Sequence, residues 1–151
     1  MKYVSSIIPK GAILGSLEGS RQILSQVNQF FQMQGQAPAF KVQLVGLTSE
    51  TLVSGGLFTV NSNALLEDIK KTDLIVIPAI DGDMDIALEE NKAFIPWIIN
   101  QYKSGAEEAS LCLGAFLLAS TGLLDGKQCA THWLAANDFQ KRFPEVNLVT
   151  E

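Results

Sequence analysis

The chain has 151 residues, 47% of them hydrophobic, so it is long and apolar enough for one domain with a sizeable core. Its formal net charge of -5 argues against nucleic-acid binding by this chain, because phosphates are bound by clustered Lys and Arg. No apolar run is long enough to cross a bilayer, and the apolar start is too short for a signal peptide. Two cysteines, Cys112 and Cys129, are too few for a disulfide scaffold and favour a cytoplasmic protein.

The first part of the chain alternates between strand and helix patterns. β-branched and apolar residues predict a strand over 3–9, and a helix is predicted over 17–34 with Glu18 in its first turn. A second strand is predicted over 40–47, and Gly55-Gly56 indicates a hairpin within 51–60. The apolar face predicted for the helix consists of Leu17, Ile23, Leu24, Val27, Phe30 and Phe31. The glycines at 11 and 15 belong to no nucleotide-binding motif, so no cofactor is expected.

The middle of the chain indicates a central strand. A short helix is predicted over 64–70, and residues 73–78 form a continuous apolar run, which is typical of a strand covered on both faces. Strands and helices that alternate in this way predict a flavodoxin-like α/β domain, a three-layer sandwich with a mostly parallel sheet and helices on both faces.

Three aspartates follow that strand. Asp81, Asp83 and Asp85 have the spacing of a calcium loop, but its sixth position would be Ile86 instead of Gly and its twelfth Lys92 instead of Glu. We therefore predict a solvated loop and no metal site.

The last third of the chain combines helical and extended patterns. Residues 89–103 are largely helical, and Pro96 either interrupts this helix or marks the start of a second one. A short extended piece over 128–131 and a helix over 135–143 come before a strand that begins at 146. Because that strand has only just begun at residue 151, we expect the domain to be truncated.

Cys112 stands between a predicted strand over 109–111 and a predicted helix that ends near Gly122. At such a junction the free N–H groups of the first helical turn point at the sulfur and favour the thiolate. Gly114 suits a sharp turn that leaves room above the sulfur. This pattern predicts a nucleophile elbow with sulfur in place of oxygen. The alternative is that Cys112 is a small buried hydrophobic residue.

Two other side chains are candidates for the same site. Glu18 follows the first strand, so its protonated carboxyl group is able to approach Cys112 at the carboxyl edge of the sheet; alternatively it is a solvated residue that complements the helix dipole. His132 follows a short strand that returns to this edge, where it would stabilise the thiolate or move protons; alternatively it is a surface residue at a helix entry. Cys129 is interpreted as a core residue.

Three segments carry a family resemblance: Ser-Leu-Cys-Leu-Gly-Ala-Phe-Leu-Leu-Ala at 110–119, Gly-Leu-Leu-Asp-Gly-Lys at 122–127 and Thr-His-Trp at 131–133. Together they resemble the ThiJ/PfpI superfamily, which has the class I glutamine amidotransferase-like fold. The most similar branch is the N-terminal sensing domain of AraC-type transcriptional regulators, in which a helix-turn-helix domain follows. The resemblance covers nearly the whole chain.

The resemblance implies roles for particular residues. Cys112 is the elbow cysteine, Glu18 its carboxyl partner and His132 the nearby histidine, while the N–H groups of Gly82 and Leu113 form an oxyanion-type pocket. Two departures matter. Leu113 stands where the superfamily's proteases have a histidine, which counts against peptidase activity. Trp133 follows His132, so the glutaminase arrangement of histidine and carboxylate is absent.

The resemblance thus favours a regulator domain that senses a small-molecule ligand or oxidation through a pocket at Cys112. It further implies a homodimer, and it implies DNA binding only through a domain outside this chain. The alternative is an enzyme of the same superfamily, similar to isonitrile hydratase or glyoxalase, with Cys112 as nucleophile. A third hypothesis is a redox protein in which Cys112 is oxidised to a sulfenic or sulfinic acid.

Overall fold

The computed structural model of the protein describes residues 1–149 and contains one main sheet with two small ones. The strands are β1 (Lys2–Ile7), β2 (Phe40–Gly46), β3 (Glu50–Val53), β4 (Phe58–Asn61), β5 (Ala64–Leu65), β6 (Leu74–Ile77), β7 (Glu107–Ser110), β8 (Gln128–Cys129) and β9 (Asn147–Leu148). The main sheet has the order β5-β2-β1-β6-β7, and each of its pairings is parallel. The predicted parallel sheet is therefore confirmed.

Helices cover both faces of this sheet, as predicted. They are α1 (Leu14–Met33), α2 (Met84–Glu90), α3 (Phe94–Lys103), α4 (Gly114–Ala119) and α5 (Ala136–Arg142), with 3-10 turns at Leu66–Asp68 and Trp133–Ala135. Successive residues of a strand point to opposite faces. Accordingly, Ile7 packs with Phe94 and Ile98 of α3, whereas the next residue, Ile8, packs with Leu17 of α1.

The loops after β1 and β6 are joined to each other at the carboxyl edge of the sheet. Ala12 and Ile80 form an antiparallel bridge, and the Asp81 N–H donates to the Gly11 carbonyl at 2.8 Å. Gly11 has a φ of +79°, and a Cβ there would lie 3.0 Å from the Asp81 carbonyl oxygen. The close approach of the two loops therefore requires glycine at position 11.

Two features of α1 differ from prediction. It begins at Leu14, without a side-chain cap at Ile13, so Glu18 lies in its second turn and not in its first. Leu17 is buried as predicted, but Ile23 is 64% exposed and Phe30 is 60% exposed, so neither belongs to the buried face.

The helix predicted over 64–70 is wrong. Ala64 and Leu65 instead extend the main sheet by pairing with Val45 and Gly46 of β2, and only a single 3-10 turn follows. Local propensity is weak in so short a segment, and the long-range pairing with β2 determines its conformation.

The predicted helix over 89–103 is two helices, with Pro96 in the first turn of the second, where proline is tolerated. The earlier helix α2 begins inside the predicted aspartate loop. Asp83 caps it, because its side chain accepts hydrogen bonds from the N–H groups of Asp85 and Ile86. Asp85 forms an ion pair with Arg142 of α5.

The C-terminal segment packs beside α4. Phe116 of α4 contacts Phe139 of α5 edge to face, with ring centroids 5.0 Å apart. The predicted final strand is present as β9, but it pairs in parallel with β8 in a separate two-stranded sheet. Within residues 1–149, no helix combines the length and apolarity needed to span a bilayer.

Candidate functional site

Cys112 lies in the turn between β7 and α4, and its side chain is exposed. Its φ is +53°, and within residues 1–149 the only other non-glycine residue with positive φ is Ser54. Such a left-handed conformation costs an L-residue roughly 1–2 kcal/mol. The turn is tight, because the Leu111 N–H still donates to Ile77 of β6 while the Leu111 carbonyl already accepts from Gly114.

Gly114 is required here for a different reason from the one predicted. A Cβ at this position would lie 2.5 Å from the Pro78 carbonyl oxygen and 2.8 Å from that of Ile77. The glycine thus allows the first turn of α4 to pack directly on the end of β6, and it is buried. It does not open space above the sulfur.

The N–H groups of the first turn are largely occupied. Gly114, Ala115 and Phe116 donate to the carbonyls of Leu111, Cys112 and Leu113, at 2.8, 3.3 and 3.1 Å. The expectation that these groups point at the sulfur is therefore wrong for all three. The Leu113 N–H, in contrast, donates to no group among residues 1–149.

Thr131 and His132 lie beside Cys112. The Thr131 hydroxyl donates to the Cys112 carbonyl at 3.1 Å, which ties the segment after β8 to the turn. A shallow depression of about 280 Å³ is shared by these segments. Its lining consists of Ser110, Leu111, Cys112, Ala130, Thr131 and His132.

The hydrogen bonds of His132 indicate its tautomer. Its Nδ1 accepts the Leu134 N–H at 3.2 Å, so a neutral ring carries its proton on Nε2. The ring also stacks on Trp133, at 5.9 Å between centroids. In this form His132 is a hydrogen-bond donor through Nε2 and has no free nitrogen lone pair with which to accept a proton.

Glu18 is engaged elsewhere. Its carboxylate accepts two hydrogen bonds from Arg21, at 2.6 and 2.7 Å, and these lower the pKa of Glu18. The predicted role needs a protonated carboxyl group next to Cys112, and a lowered pKa opposes protonation. Among residues 1–149, neither the hydrogen bonds of Glu18 nor the lining of the depression connects it with Cys112.

Ser16 joins α1 to the loop after β6. Its hydroxyl oxygen accepts the Ala79 N–H at 2.9 Å, directly after β6. Two residues along an α-helix correspond to a rotation of about 200°, so Ser16 and Glu18 point in nearly opposite directions. The contact made by Ser16 was not predicted from the sequence; its position next to Leu17, which is buried, was the signal available for it.

Gly82 and Cys129 are the remaining residues whose roles were predicted from the sequence. The Gly82 N–H donates to the carboxylate of Asp81 at 2.8 Å, so this group is not free for an oxyanion. Cys129 is half-buried, and burial raises the pKa of its thiol, in agreement with its interpretation as a core residue.

A depression of about 530 Å³ lies far from Cys112, at the amino ends of the strands around Met1, Tyr3 and Asp73. Ligands of open α/β sheets bind at the carboxyl ends of the strands, so we assign this depression no role.

The sequence pattern of the DJ-1/PfpI family matches residues 27–148. The HTH-type transcriptional regulator CdhR of Pseudomonas aeruginosa is 31% identical over 100 residues, which cover 66% of this chain and 29% of CdhR. The HTH-type transcriptional regulator ArgR of the same organism is 48% identical over 44 residues, or 29% of this chain and 13% of ArgR. The aligned segments thus span less than a third of either regulator.

Solved structures agree with this assignment. A transcriptional regulator protein from Vibrio parahaemolyticus superposes with a TM-score of 0.84 and 25% identity, covering 99% of this chain and 76% of that one. An AraC family transcriptional regulator from Pseudomonas putida superposes with a TM-score of 0.80, covering 100% and 77% of the two chains. At 17% identity, the second likeness supports the fold alone.

Proposed function

Because this chain belongs to the DJ-1/PfpI family, we propose that it is the ligand-sensing part of an AraC-type transcriptional regulator. The observation that carries this proposal is the 31% identity to CdhR over two thirds of the chain. The net charge of -5 fits a division of labour in which DNA is bound by a basic domain outside residues 1–151. Such a regulator acts in the cytoplasm, where its two free cysteines stay reduced.

The proposed sensing site is the depression at Cys112, which would act as a nucleophile elbow. Two donors support a ligand with an exposed oxygen, such as a carbonyl or carboxylate: the Leu113 N–H and His132 Nε2–H. The exposed Cys112 sulfur lies beside them, where it would contact the ligand or register oxidation. Gly114 supports the turn from beneath. Glu18 would join the site only after leaving Arg21, and Gly82 only after releasing Asp81.

The gene provides the first test. We expect its reading frame to continue past codon 151 into a basic helix-turn-helix segment, and the complete protein to bind DNA while residues 1–151 alone do not. Gel-shift assays on the upstream region of the gene, at several salt concentrations, measure both. A reading frame that ends without such a segment would contradict the regulator.

The second candidate is an enzyme with Cys112 as its nucleophile. The exposed, left-handed Cys112 favours it, because this conformation presents the sulfur to solvent. The His132 tautomer opposes it, because a general base needs a free nitrogen lone pair. Turnover of an isonitrile or of glyoxal that Cys112→Ser abolishes, while circular dichroism shows a folded variant, would establish the enzyme.

We also propose that the protein is a homodimer, with the outer face of α1 as the contact. Ile23, Phe30 and Met33 are exposed there by 64%, 60% and 85%. The only charged residues of α1 are Glu18 and Arg21, which pair with each other. An uncharged face is the surface on which two acidic chains meet with least repulsion.

Light scattering coupled to gel filtration tests this contact. We expect a dimer that Phe30→Glu converts to a monomer. Ile86→Glu is the matched control, because Ile86 is 61% exposed on α2, and this variant should remain dimeric. A monomeric unmodified chain, or a dimer that survives Phe30→Glu, would exclude this interface.

A further inference from the structure

A second cavity lies at the carboxyl edge of the sheet, away from Cys112. It has a volume of about 360 Å³ and opens between the ends of β1 and β2 and the hairpin strand β3. Its lining consists of Ile8, Lys10, Leu47, Thr48, Glu50, Thr51 and Leu52, and we call it the Lys10–Glu50 cleft. It shares no residue with the depression at Cys112 and is more enclosed.

The two charges that line this cleft have opposite signs and do not neutralise each other. The only ion-pair partner of the Lys10 ammonium within residues 1–149 is Glu90, at 4.0 Å, the outer limit of such a contact. Glu50 forms no ion pair with any residue of the described chain within that distance. Lys10 and Glu50 thus both line this cavity, Glu50 without an ion-pair partner in the described chain and Lys10 with only the long contact to Glu90.

The backbone that carries both charges is fixed. Asn91, which is fully buried, accepts the Lys10 N–H at 2.8 Å and donates to the Lys10 carbonyl at 2.9 Å. The Glu50 carbonyl accepts the Thr48 hydroxyl at 2.7 Å, and Glu50 pairs with Asn61 in the hairpin. The backbone of the site is therefore ordered before a ligand binds, and the entropy lost on binding is mainly that of the Lys10 and Glu50 side chains.

The rest of the lining is mainly apolar. Ile8 is buried at the base of the cleft, Leu47 is half-buried, and Leu52 is 61% exposed at its mouth. A hydrocarbon segment placed between the two charges would remove the exposed apolar surface of Leu47 and Leu52 from water.

We propose that the Lys10–Glu50 cleft binds a small zwitterion with an apolar body. Its carboxylate pairs with Lys10, its ammonium pairs with Glu50, and its hydrocarbon part lies on Ile8, Leu47 and Leu52. A ligand with a single charge pairs with only one of Lys10 and Glu50, and we expect it to bind less tightly. This site does not depend on the proposed sensing role of Cys112 and stands or falls separately.

Isothermal titration of residues 1–151 tests the ligand class. The probes are 4-aminobutanoate, 6-aminohexanoate and 8-aminooctanoate, which vary the distance between charges, with hexanoate and hexylamine as singly charged controls. We expect at least one of the three zwitterions to bind at least tenfold more tightly than both controls. Equal binding of hexanoate or hexylamine, or no binding of any probe at millimolar concentration, overturns the proposal.

Variants locate the binding. Lys10→Met and Glu50→Gln should each weaken the best zwitterion at least tenfold, whereas the charge exchange Lys10→Glu with Glu50→Lys should restore it, because the ligand can bind in reverse. Glu89→Gln removes one surface charge away from the cleft and should change nothing. Circular dichroism verifies that each variant is folded. Loss of binding in Cys112→Ala, or its retention in Glu50→Gln, overturns the proposal.

Discussion

The turn at Cys112 and the Lys10–Glu50 cleft lie at the same edge of one sheet but are constructed differently. The turn is defined by backbone: a left-handed residue, a glycine in contact with two carbonyls of the neighbouring strand, and a hydroxyl bound to a carbonyl. The cleft is defined by exposed side chains on a short hairpin and a loop. We infer that substitutions in the backbone-defined turn change stability more than substitutions in the cleft do.

The largest effect is expected at Gly114. Gly114→Ala places a methyl group 2.5 Å from the Pro78 carbonyl oxygen, which backbone cannot accommodate without moving α4 off β6. We expect a loss of about 3 kcal/mol in the free energy of unfolding, measured by urea denaturation. Gly19→Ala is the control, because its Cβ meets nothing within 4 Å and the change in α1 should stabilise by about 0.5–1 kcal/mol. Equal effects of Gly114→Ala and Gly19→Ala on the free energy of unfolding would contradict the close packing of Gly114 on β6.

A smaller effect is expected at Cys112, where a comparison of glycine with alanine tests the backbone strain. Because φ is +53°, Cys112→Gly should be more stable than Cys112→Ala by about 1 kcal/mol. Ser25, inside α1, is the matched position, and there the alanine variant should be the more stable of the two. The same order at both positions, measured by thermal unfolding, would mean that Cys112 is not strained.

The effect of the Thr131 hydroxyl on the free energy of unfolding should be slightly smaller than the effect at Cys112. Thr131→Val deletes its hydrogen bond to the Cys112 carbonyl at similar volume, at a cost of about 0.5–1 kcal/mol. Binding of the aminoalkanoate probes should stay unchanged, because the cleft is a separate cavity. A change in their affinity would show that the two regions are energetically coupled.

The smallest effect is expected at Glu18. Its pKa is lower in the folded chain than in the unfolded one, so the folded state binds fewer protons near that pH. The stabilisation by Arg21 is therefore present above the unfolded pKa, and it is lost as the pH falls through the folded pKa. Glu18→Gln should cost at most about 0.5 kcal/mol at pH 7, as for exposed ion pairs, and nothing in acid.

The same variant tests the predicted partnership with the thiol. If Glu18 stays with Arg21, titration of the Cys112 thiol with an alkylating reagent should give the same pH profile with and without Glu18→Gln. A shifted profile would support the carboxyl–thiol contact that the resemblance implies.

The sequence predicted the sheet well because its signals are local and strong. The apolar run at Leu74–Ile77 can only be a strand covered on both faces, and the turn residues at 55 and 56 mark the hairpin. The position of Cys112 between strand and helix was also readable, since the apolar pattern changes period there. These features depend on neighbours in the chain.

The predictions that failed depend on distant partners. Residues 64–65 are a strand because β2 is beside them. Glu18 was predicted in the first turn of α1 but lies in its second, because Ile13 provides no side-chain cap that would mark the start of the helix. The Lys10–Glu50 cleft exists because the hairpin docks on the loop after β1, through the hydrogen bond from the Leu14 N–H to Ser54. No local pattern encodes that contact.

The bridge between Ala12 and Ile80 links the two regions mechanically. Lys10 and Gly11 on one side and Pro78 and Ala79 on the other belong to segments that hydrogen-bond to each other, and Pro78 in turn touches Gly114. A displacement of either segment must therefore move the other or break these bonds. A ligand that displaces the backbone at the Lys10–Glu50 cleft would therefore also displace the backbone at the turn of Cys112, although the two regions share no side chain.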